Sequence, residues 1–300
     1  MTYIIENVNL LKSNSLEKTS LLIKNEKIAA IRPDFNRYTY MKMNAESFIM
    51  TPPHITLDTQ IPLDESFPFM KNYFIKEMIQ NGCTTFLTYF KVDHEYLFES
   101  CYKEMKIKLL NSPIDYILGI KIPQRLLTPT LIRKCKKMKI PVIFVEIKNI
   151  EDLRKTPWGW IKEALFPYNC PLAPIFIDMN SREKQQAKTI WVEILKKERI
   201  PGIFDELMEK LPIQLDILKK IGIYPLKSFL NQGGEVSYNF YKNAREVRKI
   251  EELELFLYHK HRLIITVHKG TIIRSGEEVL FRPGFGEHVT IKTPSIFNTD

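Results

Sequence analysis

Residues 83–90 read Cys-Thr-Thr-Phe-Leu-Thr-Tyr-Phe, a run of β-branched, aromatic and apolar side chains that predicts a β-strand. The residues before it, from about 68 to 80, have helical spacing, and so do the residues after it, from 93 to 110. A strand set between two helices is typical of parallel βα units. This stretch therefore predicts an α/β fold with a parallel sheet.

The same alternation continues on both sides of this strand. A short strand is predicted over Ile55–Asp58, and further strands and helices follow as far as residue 198. The strands are 116–120, 142–146 and 174–178, and the helices are 128–139, 157–165 and 181–198, the last with a capping-box-like start at Ser181. Beyond residue 200 the alternation stops, and the spacing predicts two short helices over 203–210 and 213–221.

Both ends of the chain are rich in β-forming residues. Candidate strands lie at 3–6 and 20–31, with a hairpin turn at Asn25-Glu26, and again at 236–241, 262–267, 271–274 and 279–282. A charged helix or an excursion between strands is predicted over 245–254. Pro52-Pro53 and Gly233-Gly234 mark the joints. We therefore predict a composite β domain from residues 1–52 and 233–300, with a barrel-like domain of residues 53–232 inserted into it.

Length and glycine content predict that this barrel is not intact. The central stretch is shorter than the roughly 250 residues that a closed (β/α) barrel takes. Glycine supplies only 11 of 300 residues, about half of the usual share of roughly 7%. Phosphate- or metal-gripping loops need glycine at their φ > 0 corners. The predicted fold is an incomplete or rebuilt TIM-like (β/α) barrel plus a small β-sandwich-like domain formed from both termini.

Composition and charge exclude several other classes of protein. Apolar residues make up 44% of the chain and charged residues 26%, which excludes fibrous and wholly disordered chains. No apolar run reaches 18 residues, and the N-terminus lacks signal-peptide features, so we expect a cytoplasmic protein without a membrane partner. The four scattered cysteines form no CxxC pair and predict reduced thiols. The net charge of +9 permits an acidic partner without establishing one.

Four sets of segments, taken in order, resemble signatures of one enzyme family. They are 20–33, the run Ile49-Met-Thr-Pro-Pro-His-Ile-Thr-Leu-Asp58, the run Gln80-Asn-Gly-Cys-Thr-Thr-Phe86, and a last set at 221–227, 238–241 and 267–288. The first resembles the I-x-x-G-K-I-x-x-I-G hairpin of the amidohydrolase superfamily, and the second its V-x-P-G-F-I-D-x-H entry into the first barrel strand. The third resembles its G-G-V-T-T entry into the second strand, and the last its C-terminal return strands. The dihydroorotase and hydantoinase branch is the most similar.

The resemblance implies a metal site that this sequence does not retain. The family holds its metal with an HxH on the first strand, a lysine on the fourth, histidines on the fifth and sixth, and an aspartate on the eighth. The aligned residues here are Asp58-Thr59-Gln60, a position near Phe144, and Asp178. No histidine occurs between His94 and His259. Because a metal-bound water is the nucleophile of this chemistry, we predict no metal, no cofactor and no metal hydrolase mechanism.

Four residues remain as candidates for a pocket at the ends of the strands. Asp58 and Asp178 are predicted at the carboxyl ends of strands, where barrel active sites lie, with Gln60 and Lys121 nearby. As a carboxylate pair, the two aspartates would suit general acid–base chemistry or one hard cation. The alternative interpretation is that they cap helices or loops and that Lys121 is solvated.

Other polar and aromatic clusters have a functional and a structural interpretation. His259-Lys-His261, placed on one strand, has a spacing that can bind a metal, but only the distant His268 could add a third imidazole. The basic runs 133–139 and 196–197 suit phosphate contacts or solvated helix faces. Trp158 and Trp160 suit a partner interface or the core.

These observations lead to three hypotheses of function. The first is a non-catalytic amidohydrolase-like protein that acts as a binding, scaffolding or regulatory partner, for a protein or a small ligand. The alternative is a metal-independent hydrolase or lyase that uses Asp58 and Asp178. A weaker alternative is a basic nucleic-acid-binding protein, which no motif supports. We also predict a homodimer, because a truncated barrel would expose strand edges that need covering.

Overall fold

A computed structural model describes residues 1–12, 15–243 and 251–295. The strands in these ranges are β1 (Thr2–Lys12), β2 (Ser15–Lys24), β3 (Lys27–Arg32), β4 (Met41–Asn44), β5 (Phe48–Thr51), β6 (His54–Leu57), β7 (Cys83–Lys91), β8 (Asp115–Pro123), β9 (Ile143–Ile147), β10 (Leu172–Phe176), β11 (Tyr238–Lys242), β12 (Leu263–His268), β13 (Thr271–Ser275) and β14 (Glu278–Val279). The α-helices are α1 (Phe67–Tyr73), α2 (Phe98–Lys108), α3 (Pro129–Lys137), α4 (Ile150–Lys155), α5 (Trp158–Leu165), α6 (Ser181–Glu198), α7 (Leu215–Ile221) and α8 (Glu252–Tyr258). No helix in the described ranges is both long and apolar enough to cross a membrane.

The centre of the chain forms a curled, parallel half-barrel. Its five strands lie in the order β10-β9-β8-β7-β6, and each pair of neighbours is parallel. Parallel neighbours need crossover connections, and helices α1 to α5 lie within these connections. The predicted βα centre is confirmed as a partial TIM-like barrel.

The two faces of this sheet pack against different layers. One face joins the helices in the largest apolar cluster, which includes Phe86, Leu118 and Trp191. The other face presents Leu57, Leu87, Ile117, Phe144 and Ala173 to the chain segments that follow α6. Side chains alternate along a strand, so residues separated by an even number lie on the same face. Lys121 lies four residues after Ile117 on β8, and Glu146 lies two residues after Phe144 on β9. This second face therefore continues to Lys121 and Glu146. Polar groups therefore end an otherwise apolar concave face.

A short segment, 202–213, closes the half-barrel and is called the strap below. Near its start it pairs with the free edge of β10, where the amide of Ile203 donates to the carbonyl oxygen of Leu172 at 2.8 Å. Near its end it pairs with the free edge of β6, where the amides of Lys210 and Ile213 donate to the carbonyl oxygens of Leu57 and Ile55, both at 2.8 Å. One irregular segment thus joins the two edges of the five-stranded sheet.

The strap corrects the prediction of a helix over 203–210. Its backbone groups bond to β10 and β6, so they are not available for the i→i−4 bonds of a helix. The helix predicted over 213–221 is confirmed as α7. Helix α4, which follows β9, was not predicted.

Strands from both ends of the chain share one mixed sheet. Nine strands take part, in the order β14-β13-β12-β11-β5-β1-β2-β3, with β4 parallel to β1. The hairpin at Asn25-Glu26 is confirmed, with φ of 53° and 59° at these two residues. The hydrogen bonds join these strands in one sheet, so they do not bear out the finer prediction of a two-sheet sandwich. The predicted element over 245–254 is described from residue 251 on, one residue before α8 begins, and residues 245–250 lie outside the described residues.

The last described residues return to the half-barrel. The amide of Tyr116 donates to the carbonyl oxygen of Glu287 at 2.9 Å. The amide of Val289 donates to the carbonyl oxygen of Tyr116 at 2.8 Å. Ile291 packs into the concave apolar cluster, and its carbonyl oxygen accepts a hydrogen bond from the Tyr168 hydroxyl at 2.9 Å. The segment 286–291 is therefore docked on the start of β8, and it is not the return strand that the family resemblance implied.

Candidate functional site

Asp58 lies directly after β6 and is almost fully buried, with 2% of its surface exposed. Its two carboxylate oxygens each accept from the Tyr73 hydroxyl at 3.0 Å, and Oδ1 also accepts from the amide of Gln60 at 3.0 Å. Burial raises the pKa of Asp58 above its ordinary value, against the hydrogen bonds, which lower it. The Gln60 side chain is exposed. Asp58 is thus held in a local hydrogen-bonded turn.

Lys121 forms an ion pair on the neighbouring strands. Its Nζ lies 3.1 Å from Glu146 Oε1 and 5.5 Å from the centroid of the Tyr89 ring. Burial works against the charged ammonium, but the hydrogen bond to Glu146 and the neighbouring charges raise the pKa of Lys121 overall. Lys121 was predicted just after the third strand, and it lies within β8, two residues before the strand ends. Its partner Glu146 was not a predicted candidate, although the alternation along β9 places it on the same face as Phe144.

Asp178 lies apart from these groups. β10 ends at Phe176, two residues earlier than predicted, and Asp178 has a φ of 56°. Its side chain is 78% exposed and lies 3.7 Å from Lys148 Nζ. Asp58, Lys121 and Asp178 share no partner among their described contacts. The structure therefore gives no direct contact within the predicted carboxylate pair.

The strap brings three further charged residues to the ends of the strands. Glu206 accepts a hydrogen bond from the amide of Phe176 at 2.7 Å, at the end of β10. Glu209 accepts from the amide of Thr59 at 2.9 Å, just after β6, and also from the Thr59 hydroxyl. Lys210 Nζ lies 3.2 Å from Glu77 and 5.1 Å from the centroid of the Tyr73 ring. These residues were missed because a helix was predicted there.

The side chains at these strand ends do not fit the metal site that the family resemblance implies. Asp58 is occupied by Tyr73 and by a backbone amide, and Gln60 points to solvent. The Phe144 side chain is buried, and its ring centroid lies 5.0 Å from that of Tyr89. Glu146 lies on β9, the fourth strand of the half-barrel, and its carboxylate is paired with the ammonium group of Lys121. Asp58 and Glu146 therefore already have partners within the protein.

A second acidic cluster lies at the opposite end of β8. Ligand atoms of Asp115, Glu235 and His268 lie within 4.8 Å of one another, an arrangement that can hold a metal ion. However, Lys227 Nζ lies 2.6 Å from Asp115 and also contacts Glu235, and Lys269 Nζ lies 2.7 Å from Asp115. Two ammonium groups therefore balance two carboxylates. Burial opposes ionisation, but His268 and Lys227 lower the pKa of Asp115 far below its ordinary value. This is an ion-pair cluster that joins the two sheets.

The remaining predicted clusters have structural partners. His259 and His261 do not lie on a strand, because α8 ends before them and β12 starts at Leu263. Trp158 is buried, with its ring centroid 6.0 Å from that of Trp191, which confirms a core position. Trp160, in contrast, is 68% exposed. All four cysteines are free.

Part of the basic run 133–139 makes internal contacts. Lys134 Nζ lies 2.9 Å from Glu95, and Lys136 Nζ donates to the carbonyl oxygen of Phe166 at 2.8 Å. Part of the positive charge of this run is therefore engaged by contacts within the protein.

Several solved structures with a similar architecture are dihydropyrimidinases and hydantoinases. A dihydropyrimidinase from Brevibacillus agri NCHU1002 superposes with a TM-score of 0.59 and 12% identity, covering 98% of this chain and 99% of that chain. The chain has a hydantoinase-like fold. A D-hydantoinase (dihydropyrimidinase) from Thermus sp. gives a TM-score of 0.60 and 12% identity, over 98% of this chain and 100% of that one. An L-hydantoinase (dihydropyrimidinase) from Arthrobacter aurescens gives a TM-score of 0.52 and 13% identity, over 97% of this chain and 100% of that one.

Identity this low establishes the fold alone. No protein-family model matches the sequence, and no curated protein matches it. The amidohydrolase resemblance predicted from the sequence is therefore confirmed for the fold, and the loss of the metal ligands stays a prediction.

Proposed function

We propose that this chain is a non-catalytic, amidohydrolase-like protein that binds a small ligand or a protein partner, in a scaffolding or regulatory role. The observation that supports this proposal most directly is the ion pair of Lys121 and Glu146 on the concave face of the half-barrel. A metal hydrolase needs free donors and an open coordination position there. In this chain an ammonium group already neutralises the carboxylate.

The strap supports the same proposal. Glu206 and Glu209 hydrogen-bond to the ends of β10 and β6, so the strap crosses from one strand end to the other. Four cavities in the described part of the chain have volumes of about 400, 490, 510 and 730 Å³, and their lining does not include Asp58, Gln60, Lys121 or Asp178. A substrate would have to compete with these internal contacts.

Metal analysis together with an amidase assay tests the proposal. We expect substoichiometric zinc and manganese in the purified protein. We also expect no more turnover of a hydantoin or a dihydropyrimidine than Asp58→Asn shows. Asp93→Asn, which removes an exposed carboxylate just after the neighbouring strand β7, serves as the control for non-specific metal binding. Stoichiometric metal that is lost in Asp58→Asn or Asp178→Asn but kept in Asp93→Asn would overturn the proposal.

A second candidate function is supported by Asp58. Its carboxyl group is buried, its pKa is raised, and Tyr73 lies in hydrogen-bonding contact, which is the environment of a general acid or base. A metal-independent hydrolase or lyase would use this group, with Asp178 as the second carboxylate. Turnover that survives a chelator but is abolished by both Asp58→Asn and Asp178→Asn would support this candidate over the first.

The homodimer also stays a prediction, although its premise has changed. The free edges of β6 and β10 are covered by the strap within the same chain. An exposed barrel edge is therefore no longer a reason for these two strands to associate with a second copy.

A further inference from the structure

A cavity of about 510 Å³ lies at the start of β6, at the other end of this strand from Asp58. Its volume is within the range of roughly 300–1,000 Å³ that small-molecule sites occupy. Its walls come from the mixed sheet, the start of β6, the end of the strap, α7 and the start of α8. They are mostly apolar, and their aliphatic and aromatic members include Leu10, Leu11, Ile55, Leu218, Phe229 and Leu230.

One carboxyl group in this apolar lining lacks a partner. Glu252, the first residue of α8, lines the cavity, and its Oε1 is enclosed without a hydrogen-bond partner. Burial raises the pKa of Glu252 to about 7. A buried acceptor without a donor destabilises the protein. A ligand that supplies a donor or a positive charge would remove this cost.

Other polar groups in the lining are already engaged. His54 Nε2 lies 2.7 Å from the Tyr241 hydroxyl, and the Ser228 hydroxyl donates to the carbonyl oxygen of Pro53 at 3.0 Å. Burial, with a contribution from Lys260, lowers the pKa of His54 to about 4, so this imidazole is neutral near pH 7. Glu252 Oε1 is therefore open to a ligand, whereas the polar groups of His54 and Ser228 are not.

The two carboxylates of the lining favour a cation. Glu251 lies beside it in the same lining. Tyr241 and Tyr224 are also close, but burial raises the pKa of Tyr241 far above neutral, so it stays uncharged. An anion would be repelled by the two glutamates, and a purely apolar molecule would leave Oε1 unpaired.

We infer that this cavity binds a small organic cation, an ammonium group on an apolar body, with Glu252 as its counter-ion. This inference rests on the proposed function only in that it names the class of small ligand. The metal analysis above does not depend on it, so either proposal can fail alone.

Calorimetric titration with 4-phenylbutylamine, and with 4-phenylbutanol as its uncharged counterpart, tests the inference. The wild-type protein should bind the amine at least tenfold more tightly than the alcohol at pH 8. Between pH 6 and pH 8 the affinity for the amine should rise about tenfold, because the ionised fraction of a group with a pKa of about 7 rises by that factor. The primary amine itself stays protonated over this range, since such groups titrate near about 10.4.

Three variants complete the design. Glu252→Gln should lose the preference for the amine and its pH dependence while it still binds the alcohol, which shows that the cavity is intact. Glu254→Gln, at an exposed carboxylate of the same helix outside the cavity lining, is the matched control and should keep both. Leu215→Trp, at a residue that lines the cavity and is 44% exposed, should weaken both probes. Equal affinity for amine and alcohol, unchanged amine binding in Glu252→Gln, or no saturable binding of either probe would overturn the inference.

Discussion

Lys121 and Glu146 face each other across β8 and β9, with 3.1 Å between Nζ and Oε1. Their side chains are only 19% and 9% exposed. The register pairs Lys121 with Phe144, so the glutamate lies two residues further towards the carboxyl end of its strand. A buried pair of this kind stabilises the fold only as long as both partners are present.

Removal of one partner should therefore destabilise the protein strongly. We expect Lys121→Met to lower the free energy of unfolding by about 3–5 kcal/mol, because Glu146 is left buried and unpaired. The double variant Lys121→Met with Glu146→Leu should recover most of this loss. Urea unfolding of the wild type, the two single variants and the double variant measures the coupling. Single and double variants that lose the same small amount would show that water, and not Lys121, solvates Glu146.

The acidic cluster makes stability depend on pH. Asp115 is 1% exposed, and Lys227 and His268 hold its pKa below the value of about 3.9 in an unfolded chain. A group with a depressed folded pKa stabilises the protein fully above its unfolded pKa, and this contribution is lost as the pH falls through the folded pKa. We expect Asp115→Asn to cost about 3–5 kcal/mol at pH 7, because Lys227 and Lys269 each lose the buried one of their two carboxylate partners.

The pH dependence separates this effect from simple repacking. The difference in free energy of unfolding between wild type and Asp115→Asn should be constant from pH 5 to pH 7 and smaller by roughly 1 kcal/mol at pH 3. Asp64→Asn, at a carboxylate that is 84% exposed and paired with Lys108, is the control and should change little at any pH. A difference that does not vary with pH would contradict the assignment of Asp115 as a stabilising ion.

Local patterns in the sequence predicted most of the half-barrel but not its closure. Strands such as 83–90 were found because runs of β-branched and aromatic residues are set by neighbours along the chain. The strap was predicted as a helix, because its conformation is fixed by hydrogen bonds to β10 and β6, which lie far away in sequence. Local propensity carries no information about such partners.

The same reasoning explains what was found and missed at the strand ends. Asp58 and Lys121 follow clear strand patterns, so their places were predictable. Glu209 reaches Thr59 across 150 residues of chain, and Lys227 reaches Asp115 across 112. No spacing rule connects residues at such separations, so only the folded chain reveals these pairs.

The closure of the half-barrel by the strap can be tested at one residue. Glu209→Ala removes the acceptor for the amide and hydroxyl of Thr59. A hydrogen bond to a charged group contributes about 1.5–3 kcal/mol. We therefore expect the amides of Lys210 and Ile213 to exchange with solvent roughly ten to a hundred times faster. Native-state hydrogen exchange measures this directly.

The control for the strap is an acidic residue in the same segment. Asp205 pairs with Lys188 at the surface and is 67% exposed, so Asp205→Ala should leave the exchange of these amides unchanged. If both variants left the exchange unchanged, the strap would be held by its backbone pairs alone, and Glu209 would have no part in the closure.

The docking of the segment 286–291 depends on a glycine without room for a side chain. A Cβ at Gly286 would lie 1.9 Å from the carbonyl oxygen of Ile114, and the Gly286 amide donates to the carbonyl oxygen of Ser112 at 2.9 Å. Since the clash is with backbone, Gly286→Ala should lower the free energy of unfolding by about 1–3 kcal/mol or more. Gly159→Ala is the matched control, because nothing lies within 4 Å of its Cβ and it is in helix α5, where alanine is favoured by roughly 0.5–1 kcal/mol. Thermal unfolding of both variants should therefore move in opposite directions. Equal behaviour would show that this segment is not held against the start of β8, and that the concave cluster around Ile291 is closed in another way.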